Sequence, residues 1–218
     1  MFTVISNVSI FLCLVLFIRK TELAPTFTDT PPSPFYVLEG NNITFVWQYN
    51  LDGTFDRLVF RFVSSSPSRI IVFKHDINLD ALVPNSFYMG RIQKNINATR
   101  AEITIFALQR SESGGYSVDL TDSTFDLASD RVTVQVQYPP EFNNVSSDAV
   151  VVEDGEPAPK ITWTKVYTHG IDSVVLGTGN QFVLETNRNN SGTYRCTTYN
   201  GIGTASNRTV KVEVNCKI

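Results

Sequence analysis

Short runs rich in β-branched and aromatic residues recur along the chain, and apolar side chains fill alternate positions within each run. Before residue 138 the runs cover residues 43–47, 58–63, 70–73, 103–108, 116–120 and 132–136. Alternation with a period of two buries one face of a β-strand and leaves the other in solvent. Because helical periodicity is nearly absent and turn residues separate the runs, the sequence predicts an all-β fold of packed antiparallel sheets.

The segment Tyr138-Pro139-Pro140 interrupts this pattern, which then resumes. Proline lacks the amide hydrogen that a central strand needs, so a proline pair ends a strand and stiffens the chain. A length of 218 residues is ample for two domains of ordinary size. We therefore expect a first domain over residues 25–137, a second over 138–215 and a short tail over 216–218.

A similar motif precedes one strand in each half. The first copy reads Ser111-Glu-Ser-Gly-Gly-Tyr116-Ser-Val118, and the second reads Asn190-Ser-Gly-Thr-Tyr194-Arg-Cys196. Both resemble the turn into strand F of immunoglobulin domains, whose family pattern is Asp-x-Gly-x-Tyr-x-Cys. The resemblance covers residues 25–215 and implies two tandem immunoglobulin-like β-sandwiches. It also implies tyrosine corners, in which the Tyr hydroxyl bonds the backbone a few residues upstream.

The first half resembles a variable-type immunoglobulin domain. The resemblance implies that Ile43, Phe45 and Trp47 of strand B face the core. The other strands would be C over residues 58–63, C′ near 70–74, D near 88–92, E with Ile103, Ile105 and Leu108, F from Tyr116, and G with Val132, Val134 and Val136. The family often pairs an Arg at the start of strand D with the acid before the tyrosine corner, and Arg91 and Glu112 match these positions.

Trp47 and Val118 occupy the positions at which this family places the two cysteines of its B–F disulfide. Loss of such a disulfide costs about 2–5 kcal/mol, and burial of a large side chain returns about 1.5–3 kcal/mol. Because these magnitudes overlap, the domain can fold without the disulfide. In this respect it is similar to the N-terminal domains of carcinoembryonic-antigen-type adhesion molecules.

The second half resembles an I-set or C2-type domain in which Trp163 is the core tryptophan of strand C. A complete domain has strand B, with its cysteine, between a turn such as Glu153-Asp-Gly155 and the Pro-rich segment before that tryptophan. Only eight positions separate Gly155 from Trp163, which leaves no room for strand B. We expect an incomplete sandwich with apolar surface exposed around Ile161, Trp163 and Tyr194.

Cys196 therefore lacks the partner that the family pattern supplies. Across a hairpin of strands F and G, Cys196 should face a residue near Asn207, nine positions before Cys216. At about 3.3 Å per residue this gap is about 30 Å, whereas a disulfide needs Cα atoms within about 7 Å. We predict that the two cysteines do not pair and that Cys216 is free or forms an intermolecular bond.

Residues 10–18 form a nine-residue apolar core followed by Arg19 and Lys20. This core is shorter than the roughly 20 apolar residues of a transmembrane helix, and it is typical of a signal peptide. We expect a signal peptide over residues 1–24, with an uncleaved signal anchor as the alternative, and a secreted, extracellular protein with no other membrane span. Five N-x-S/T sequons fit this compartment and predict glycosylation at Asn42, Asn97, Asn144, Asn189 and Asn207.

The composition argues against several functional classes. A net charge of −3 without a basic run disfavours a nucleic-acid partner. His75 and His169 are the only histidines, and no spacing of His, Cys or carboxylates predicts a catalytic or metal site. We therefore expect a protein that is not an enzyme and that uses no cofactor and no metal.

A surface for a protein partner is the remaining hypothesis. With strand B oriented as above, Asn42 and Asn97 would carry glycans on the A-B-E-D sheet and leave the G-F-C-C′ face bare. Variable-type domains commonly bind through that face. The candidate contact residues on it are Arg57, Arg61, Lys74, Asp119, Thr121 and Phe125, with Val59 and Ser117 beside them. Phe125 carries the most weight, because an aromatic residue at a loop tip has no core to fill.

These residues predict a cell-adhesion or recognition protein that binds another protein, either a related immunoglobulin-superfamily member or itself as a weak homodimer. The mixed charges of Arg61, Lys74 and Asp119 would suit self-association. The alternative is a soluble decoy or truncated variant of a longer membrane receptor, whose longer isoform would supply the anchor. Binding of microbial glycans is a third hypothesis.

Overall fold

A computed structural model describes residues 24–63, 69–77, 86–146, 149–167, 171–185 and 187–215, without the side chains of residues 69, 143–146 and 149–153. The signal peptide expected over residues 1–24 lies outside these ranges except for its last residue, and Cys216 lies outside as well. Across the described ranges, no helix combines the length and the apolar character needed to cross a bilayer.

Nine strands form the first two sheets. They are β1 (Thr26–Asp29), β2 (Phe35–Leu38), β3 (Ile43–Asn50), β4 (Phe55–Val63), β5 (Arg69–Asp76), β6 (Ile92–Ile96), β7 (Arg100–Ile105), β8 (Gly114–Asp122) and β9 (Leu127–Gln137). One sheet has the order β1-β3-β7-β6 and the other the order β2-β9-β8-β4-β5. Their pairs are antiparallel except β2 with β9. The expected all-β fold is confirmed.

An aromatic cluster joins the two sheets at the centre of the first domain. The ring of Phe60 on β4 lies 5.4 Å from Phe45, 5.9 Å from Trp47, 5.6 Å from Phe73 and 5.6 Å from Tyr116, measured between ring centroids. All five side chains are fully buried. Aromatic pairs at such distances add about 0.5–1.5 kcal/mol each beyond their buried area.

Trp47 also makes a polar contact between the sheets. Its indole Nε1 donates a hydrogen bond to Oδ2 of Asp130 at 2.7 Å. Trp47 lies on β3 of the four-stranded sheet and Asp130 on β9 of the five-stranded sheet. Val118, at the other position that the family gives to cysteine, is fully buried on β8. A hydrogen bond with a charged acceptor thus links the sheets of a domain whose cysteine positions hold Trp and Val.

Both expected tyrosine corners are present. The Tyr116 hydroxyl donates to the carbonyl of Glu112 at 3.1 Å, and the Tyr194 hydroxyl donates to the carbonyl of Asn190 at 2.8 Å. Each acceptor is the last residue of a short 3-10 helix that precedes the strand. Burial raises the pKa of Tyr116, so its hydroxyl stays a donor at physiological pH.

The structure places Arg91 against Glu112. Nη2 of Arg91 lies 2.7 Å from Oε2 of Glu112 and donates to the carbonyl of Ala107 at 2.8 Å. The same carboxylate oxygen accepts the amide of Gln109 at 2.8 Å. Because Glu112 is buried, these donors compensate its Oε2, whereas Oε1 is buried without a hydrogen-bond partner among the described residues.

Strand D does not begin near Tyr88 as the sequence suggested. Tyr88 ends a 3-10 helix (Ser86–Tyr88), and β6 begins only at Ile92. Between them Gly90 has a φ of +73°, a left-handed conformation that glycine adopts without strain. Leu108, expected on strand E, lies beyond the end of β7, although its side chain is buried in the core.

Six strands follow the proline pair. They are β10 (Glu141–Ser146), β11 (Ala149–Glu153), β12 (Lys160–Val166), β13 (Gly177–Thr178), β14 (Gly192–Tyr199) and β15 (Ser206–Val212). β10 and β11 form a hairpin, and the others form a sheet in the order β13-β12-β14-β15. Every residue between β11 and β12 is described, and none of them forms a further strand. The second sandwich therefore lacks a strand between β11 and β12, where a complete domain would have strand B.

The apolar surface expected around the core tryptophan of the second domain is covered, which corrects the sequence hypothesis. Trp163 is 8% exposed and Tyr194 is 3% exposed. The ring of Phe182, which lies after β13, stacks on Trp163 at 5.7 Å and approaches Tyr194 at 5.9 Å. Exposed apolar side chains occur instead farther along the chain, at Val174 and Val183.

Arg110 contacts both domains at their junction. Its Nε donates to Glu39 at 2.8 Å, its Nη2 donates to Glu141 at 2.7 Å, and its guanidinium lies 4.2 Å above the ring of Tyr138. The backbones of Tyr138 and Glu156 exchange two hydrogen bonds, of 2.9 and 3.2 Å. The proline pair is thus flanked by contacts to both domains.

Asp130→Ala is expected to lower the free energy of unfolding of the first domain by about 1–3 kcal/mol, because the buried indole N–H of Trp47 loses its acceptor. Asp130→Asn retains an oxygen at this position and should lose less. Asp56→Ala serves as a control, since the Asp56 side chain makes no hydrogen bond within the described residues. Urea unfolding measures all four proteins, and equal stability of wild type and Asp130→Ala would contradict the role given to this bond.

Cys196 is expected to resist alkylation in the folded protein. Its thiol is free and buried opposite Arg208 of β15, and burial raises its pKa to about 11. At pH 8 only about one thiol in a thousand with this pKa is the reactive thiolate. Iodoacetamide should label Cys196 readily only after unfolding, as measured by peptide mass mapping, which separates it from Cys216. Rapid labelling under native conditions would show that the thiol is accessible.

Candidate protein-interaction face

The outward side of the sheet β2-β9-β8-β4-β5 carries most of the candidate residues. Because Phe60 of β4 and Val118 of β8 point into the core, alternation turns Arg57, Arg61 and Asp119 outward. We name this surface the outer face. On strands β5, β4, β8 and β9 it comprises Ile71, Lys74, Asp76, Arg57, Val59, Arg61, Ser117, Asp119, Thr121, Leu127, Ser129 and Arg131.

Arg61 and Asp119 form an ion pair on the outer face. The other carboxylate oxygen of Asp119 accepts the hydroxyl of Ser129 at 2.8 Å. The sequence hypothesis assigned these opposite charges to contacts between two copies. In the structure they compensate each other within one chain, so neither offers a free charge to a partner.

Arg57 and Lys74 differ from that pair. Both side chains are exposed, and neither makes an ion pair or hydrogen bond with the rest of the described chain. They lie on neighbouring strands, β4 and β5. Two cations of the candidate set are therefore open to solvent.

Thr121 is not available to a partner, contrary to the sequence hypothesis. It is 7% exposed, as is Val59. In register, Thr121 of β8 lies between Arg57 of β4 and Leu127 of β9. Because the side chains of Arg57 and Leu127 are longer than that of Thr121, they shield it from solvent on both sides. The assignment of Thr121 as an exposed contact residue is wrong.

Phe125 occupies the tip of the hairpin between β8 and β9. Its side chain is 81% exposed, and its φ of +66° lies in the left-handed region. Glycine favours this region, whereas a bulky residue pays about 1–2 kcal/mol for it. The amide of Phe125 donates to the carbonyl of Asp122 at 3.0 Å and closes the turn. Phe125 thus exposes its aromatic ring to solvent while its backbone adopts an unfavourable conformation.

The buried carboxylate of Asp122 fixes this hairpin. Oδ1 accepts the amide and the hydroxyl of Thr124 at 3.0 and 2.5 Å, and Oδ2 accepts the amide of Gly53 at 3.4 Å. Burial by itself raises the pKa of a carboxyl, but these hydrogen bonds outweigh it and lower the pKa of Asp122. The ionised side chain therefore holds Phe125 at the tip.

Several exposed apolar residues of this sheet are not among the contact residues predicted from the sequence. In β9, Leu127 faces the same side as Arg131 and the side opposite to buried Val132. The alternation of this strand therefore predicts that Leu127 is exposed. Ile71 belongs to a continuous apolar run in β5, of which only some positions can face the core. Tyr36 on β2 was missed because this strand was not recognised from the sequence.

The other sheet carries two sequons at its ends. Asn42 is exposed just before β3, and Asn97 is exposed in the turn between β6 and β7. Oδ1 of Asn97 accepts the amide and the hydroxyl of Thr99 at 3.0 and 3.2 Å, and Oδ1 of Asn42 accepts the amide of Ala107 at 3.1 Å. These hydrogen bonds involve only the carboxamide oxygens. The carboxamide nitrogens, to which N-glycans attach, take no part in them.

The remaining candidate positions lie in the second domain. Asn189 and Asn207 are exposed, whereas the side chain of Asn144 falls outside the described part of the chain. Cys196, Trp163 and Tyr194 are buried and have structural roles. Within the described ranges, no group of His, Cys, Asp and Glu side chains is arranged to hold a metal ion.

Two curated insect proteins match part of the chain. Lachesin of Drosophila melanogaster is 25% identical over 131 residues, which cover 54% of this chain and 36% of that protein. Lachesin of Schistocerca americana is 26% identical over 125 residues, which cover 49% of this chain and 34% of that protein. The chain thus spans about a third of the length of the curated relatives it matches. No protein-family model matches the chain.

Among solved structures, similarity extends over both domains. A chain in the crystal structure of Dpr2 Ig1-Ig2 in complex with DIP-Theta Ig1-Ig3 has a TM-score of 0.64, and the match covers 86% of this chain and 65% of that chain. The sequence identity is 16%, so the likeness is one of fold. Since neither domain alone amounts to 86% of the chain, the likeness includes the tandem arrangement.

Proposed function

Because the chain is a tandem-domain protein of the immunoglobulin superfamily, we propose that it acts outside the cell as an adhesion or recognition protein. It binds another protein through the outer face of its first domain, and a second copy of the chain is one candidate partner. Lachesin is an adhesion molecule of the same superfamily, and the Dpr2 structure contains immunoglobulin domains in complex with those of DIP-Theta. We propose no catalytic role.

The difference between the two sheets of the first domain carries this proposal. The sheet β1-β3-β7-β6 has the two exposed sequons Asn42 and Asn97. The outer face has no sequon within its strands, and it combines exposed cations with exposed apolar side chains such as Ile71 and Leu127. Glycans on the first sheet would hinder a protein partner there, whereas the strands of the outer face contain no sequon to which a glycan could attach.

Phe125 supports the same surface. Aromatic residues are frequent among the side chains that dominate binding energy. A bulky residue with a positive φ destabilises its own domain, and such strain concentrates at functional sites. Phe125 lies in the turn between β8 and β9, two residues before the outer-face residue Leu127. We therefore assign Phe125 as the principal apolar contact.

A second candidate function is that of a soluble decoy or shortened variant of a longer receptor. The direct passage from β11 to β12, without a strand B, favours this alternative. Sequencing of the transcripts from the same locus tests it. A transcript that encodes the missing strand and a membrane segment would support the alternative, and its absence in all tissues that express the chain would count against it.

Phe125→Gly is expected to raise stability and weaken binding at the same time. Relief of the positive φ should raise the free energy of unfolding by about 1 kcal/mol. Loss of the ring should weaken binding at least about fivefold, as for an interface residue worth 1 kcal/mol or more. Urea unfolding measures stability, and flow cytometry with fluorescent tetramers of the chain on cells of the same species measures binding. Sedimentation velocity measures self-association in parallel.

Val183→Gly is the matched control, because it removes an apolar side chain that is also highly exposed but lies in the second domain. It should bind like wild type. A Phe125→Gly variant that is more stable and still binds with full affinity would refute the role of Phe125.

Glycan attachment at Asn42 and Asn97 is expected in the secreted protein. Both side chains are exposed and keep their nitrogens outside the hydrogen bonds described above. Treatment with a peptide N-glycosidase converts each occupied Asn to Asp, which peptide mass mapping detects. Unmodified Asn at both positions in protein secreted from cells of the same species would remove the argument that glycans shield this sheet.

A further inference from the structure

We propose that the outer face binds an acidic surface of a different protein and does not bind a second copy of itself face to face. This inference rests on the proposed function, since it names the kind of partner for the same surface. The chain as a whole carries a net charge of −3, so a cationic face is not a consequence of overall composition.

Three cations on the outer face lack intramolecular compensation. Arg57, Lys74 and Arg131 are exposed, and their side chains make no ion pair or hydrogen bond with any described residue. They lie on β4, β5 and β9. Because β5 and β9 are separated by β4 and β8, the outer two cations are on strands about 14 Å apart. Positive charge is therefore spread across the sheet.

Two acids share the face and do not cancel this charge. Asp119 is engaged by Arg61 and Ser129. Asp76, opposite Arg57 in register, is itself engaged in an interaction. The acids of the neighbouring hairpin, which lie outside the outer face, include Asp122, which is buried and hydrogen-bonded, and Asp126, whose Oδ2 lies 3.2 Å from the Thr124 hydroxyl oxygen. The uncompensated charge on the outer face is positive.

The guanidinium of Arg131 packs over the sheet, although the side chain as a whole is exposed. A Cβ atom at Gly115 would lie 2.6 Å from Nη2 and 2.7 Å from Nε of Arg131. The guanidinium therefore lies over the bare backbone of β8, next to Ser117. A guanidinium fixed in this way loses less side-chain entropy when it pairs with a carboxylate.

Apolar side chains are mixed with these cations, which favours a protein partner over an acidic polysaccharide. Ile71 lies in register with Arg61, and Leu127 lies in register with Thr121, which has Arg57 on its other side. Ile71 and Leu127 are exposed by 40% and 58%. Acidic polysaccharides offer few apolar groups, whereas protein interfaces combine an apolar centre with charged contacts.

The same charges oppose contact between two identical outer faces. Such a contact would bring three uncompensated cations of one copy towards three of the other, and like charges brought together at an interface oppose binding. The acids that could offset them are already engaged within each chain. The partner should therefore present carboxylates around an apolar patch.

The test reverses the three cations together, as Arg57→Glu/Lys74→Glu/Arg131→Glu. The control carries the same change in net charge on exposed cations of the second domain, as Lys160→Glu/Arg188→Glu/Lys211→Glu. Both are compared with wild type and Phe125→Gly as fluorescent tetramers on cells of the same species, at low and high salt. Separate samples of cells are treated with trypsin or with heparinase, and sedimentation velocity of each untagged chain measures self-association.

We expect wild type to bind the cells. Trypsin treatment should abolish this binding, heparinase treatment should leave it intact, and high salt should weaken it. The triple reversal should lose at least about tenfold in affinity, while the control binds like wild type. Loss of binding after heparinase would overturn the proposal in favour of a polysaccharide. A wild-type homodimer that the triple reversal dissociates would overturn the proposal in favour of self-association through the outer face.

Phe125→Gly separates this inference from the proposed function. If Phe125→Gly weakens binding and the triple reversal does not, the outer face binds a protein but the charge argument is wrong. If neither variant changes binding, the proposed function fails as well.

Discussion

The packing of Trp47 between the two sheets is the contact on which the first domain depends. Its ring belongs to the aromatic cluster around Phe60, and its Nε1 bonds Asp130 on the opposite sheet at 2.7 Å. Asp130 must therefore point inward, and alternation then turns Leu127 and Arg131 outward. A slip of one residue in β9 would reverse these directions. The interaction that joins the sheets thus also determines which side chains of β9 reach the outer face.

Most of the first domain could be predicted because its fold follows local patterns. Alternation located the inward residues of β3, and one motif located both tyrosine corners. The start of β6 could not be found in this way. Tyr88 reads as a strand residue because it is aromatic and apolar, but it is buried from a 3-10 helix, and the turn at Gly90 delays the strand. An aromatic residue such as Tyr88 is expected to be buried, but the sequence pattern does not show that its backbone belongs to a 3-10 helix.

The candidate surface was harder to predict, because exposure depends on neighbours across strands. Alternation turns both Arg57 and Thr121 outward, yet only the long side chain reaches solvent. Arg61 and Asp119 are separated by many residues in sequence, and their pairing requires the register of β4 with β8. The exposure of Phe125 was foreseen from its place at a loop tip. Its positive φ, which strains the backbone of this exposed residue, could be found only from the structure.

The second domain shows why the proposed function is assigned to the first. The absent strand was evident from the short distance between Gly155 and Trp163, but the cover that Phe182 gives to that tryptophan was not, since no strand pattern marks its segment. The two domains have separate cores: one contains Trp47, and the other contains Trp163 and Cys196. They meet through polar and stacking contacts of Arg110 and Tyr138 rather than through a shared core. Loss of a strand in one sandwich therefore leaves the outer face of the other with its full support.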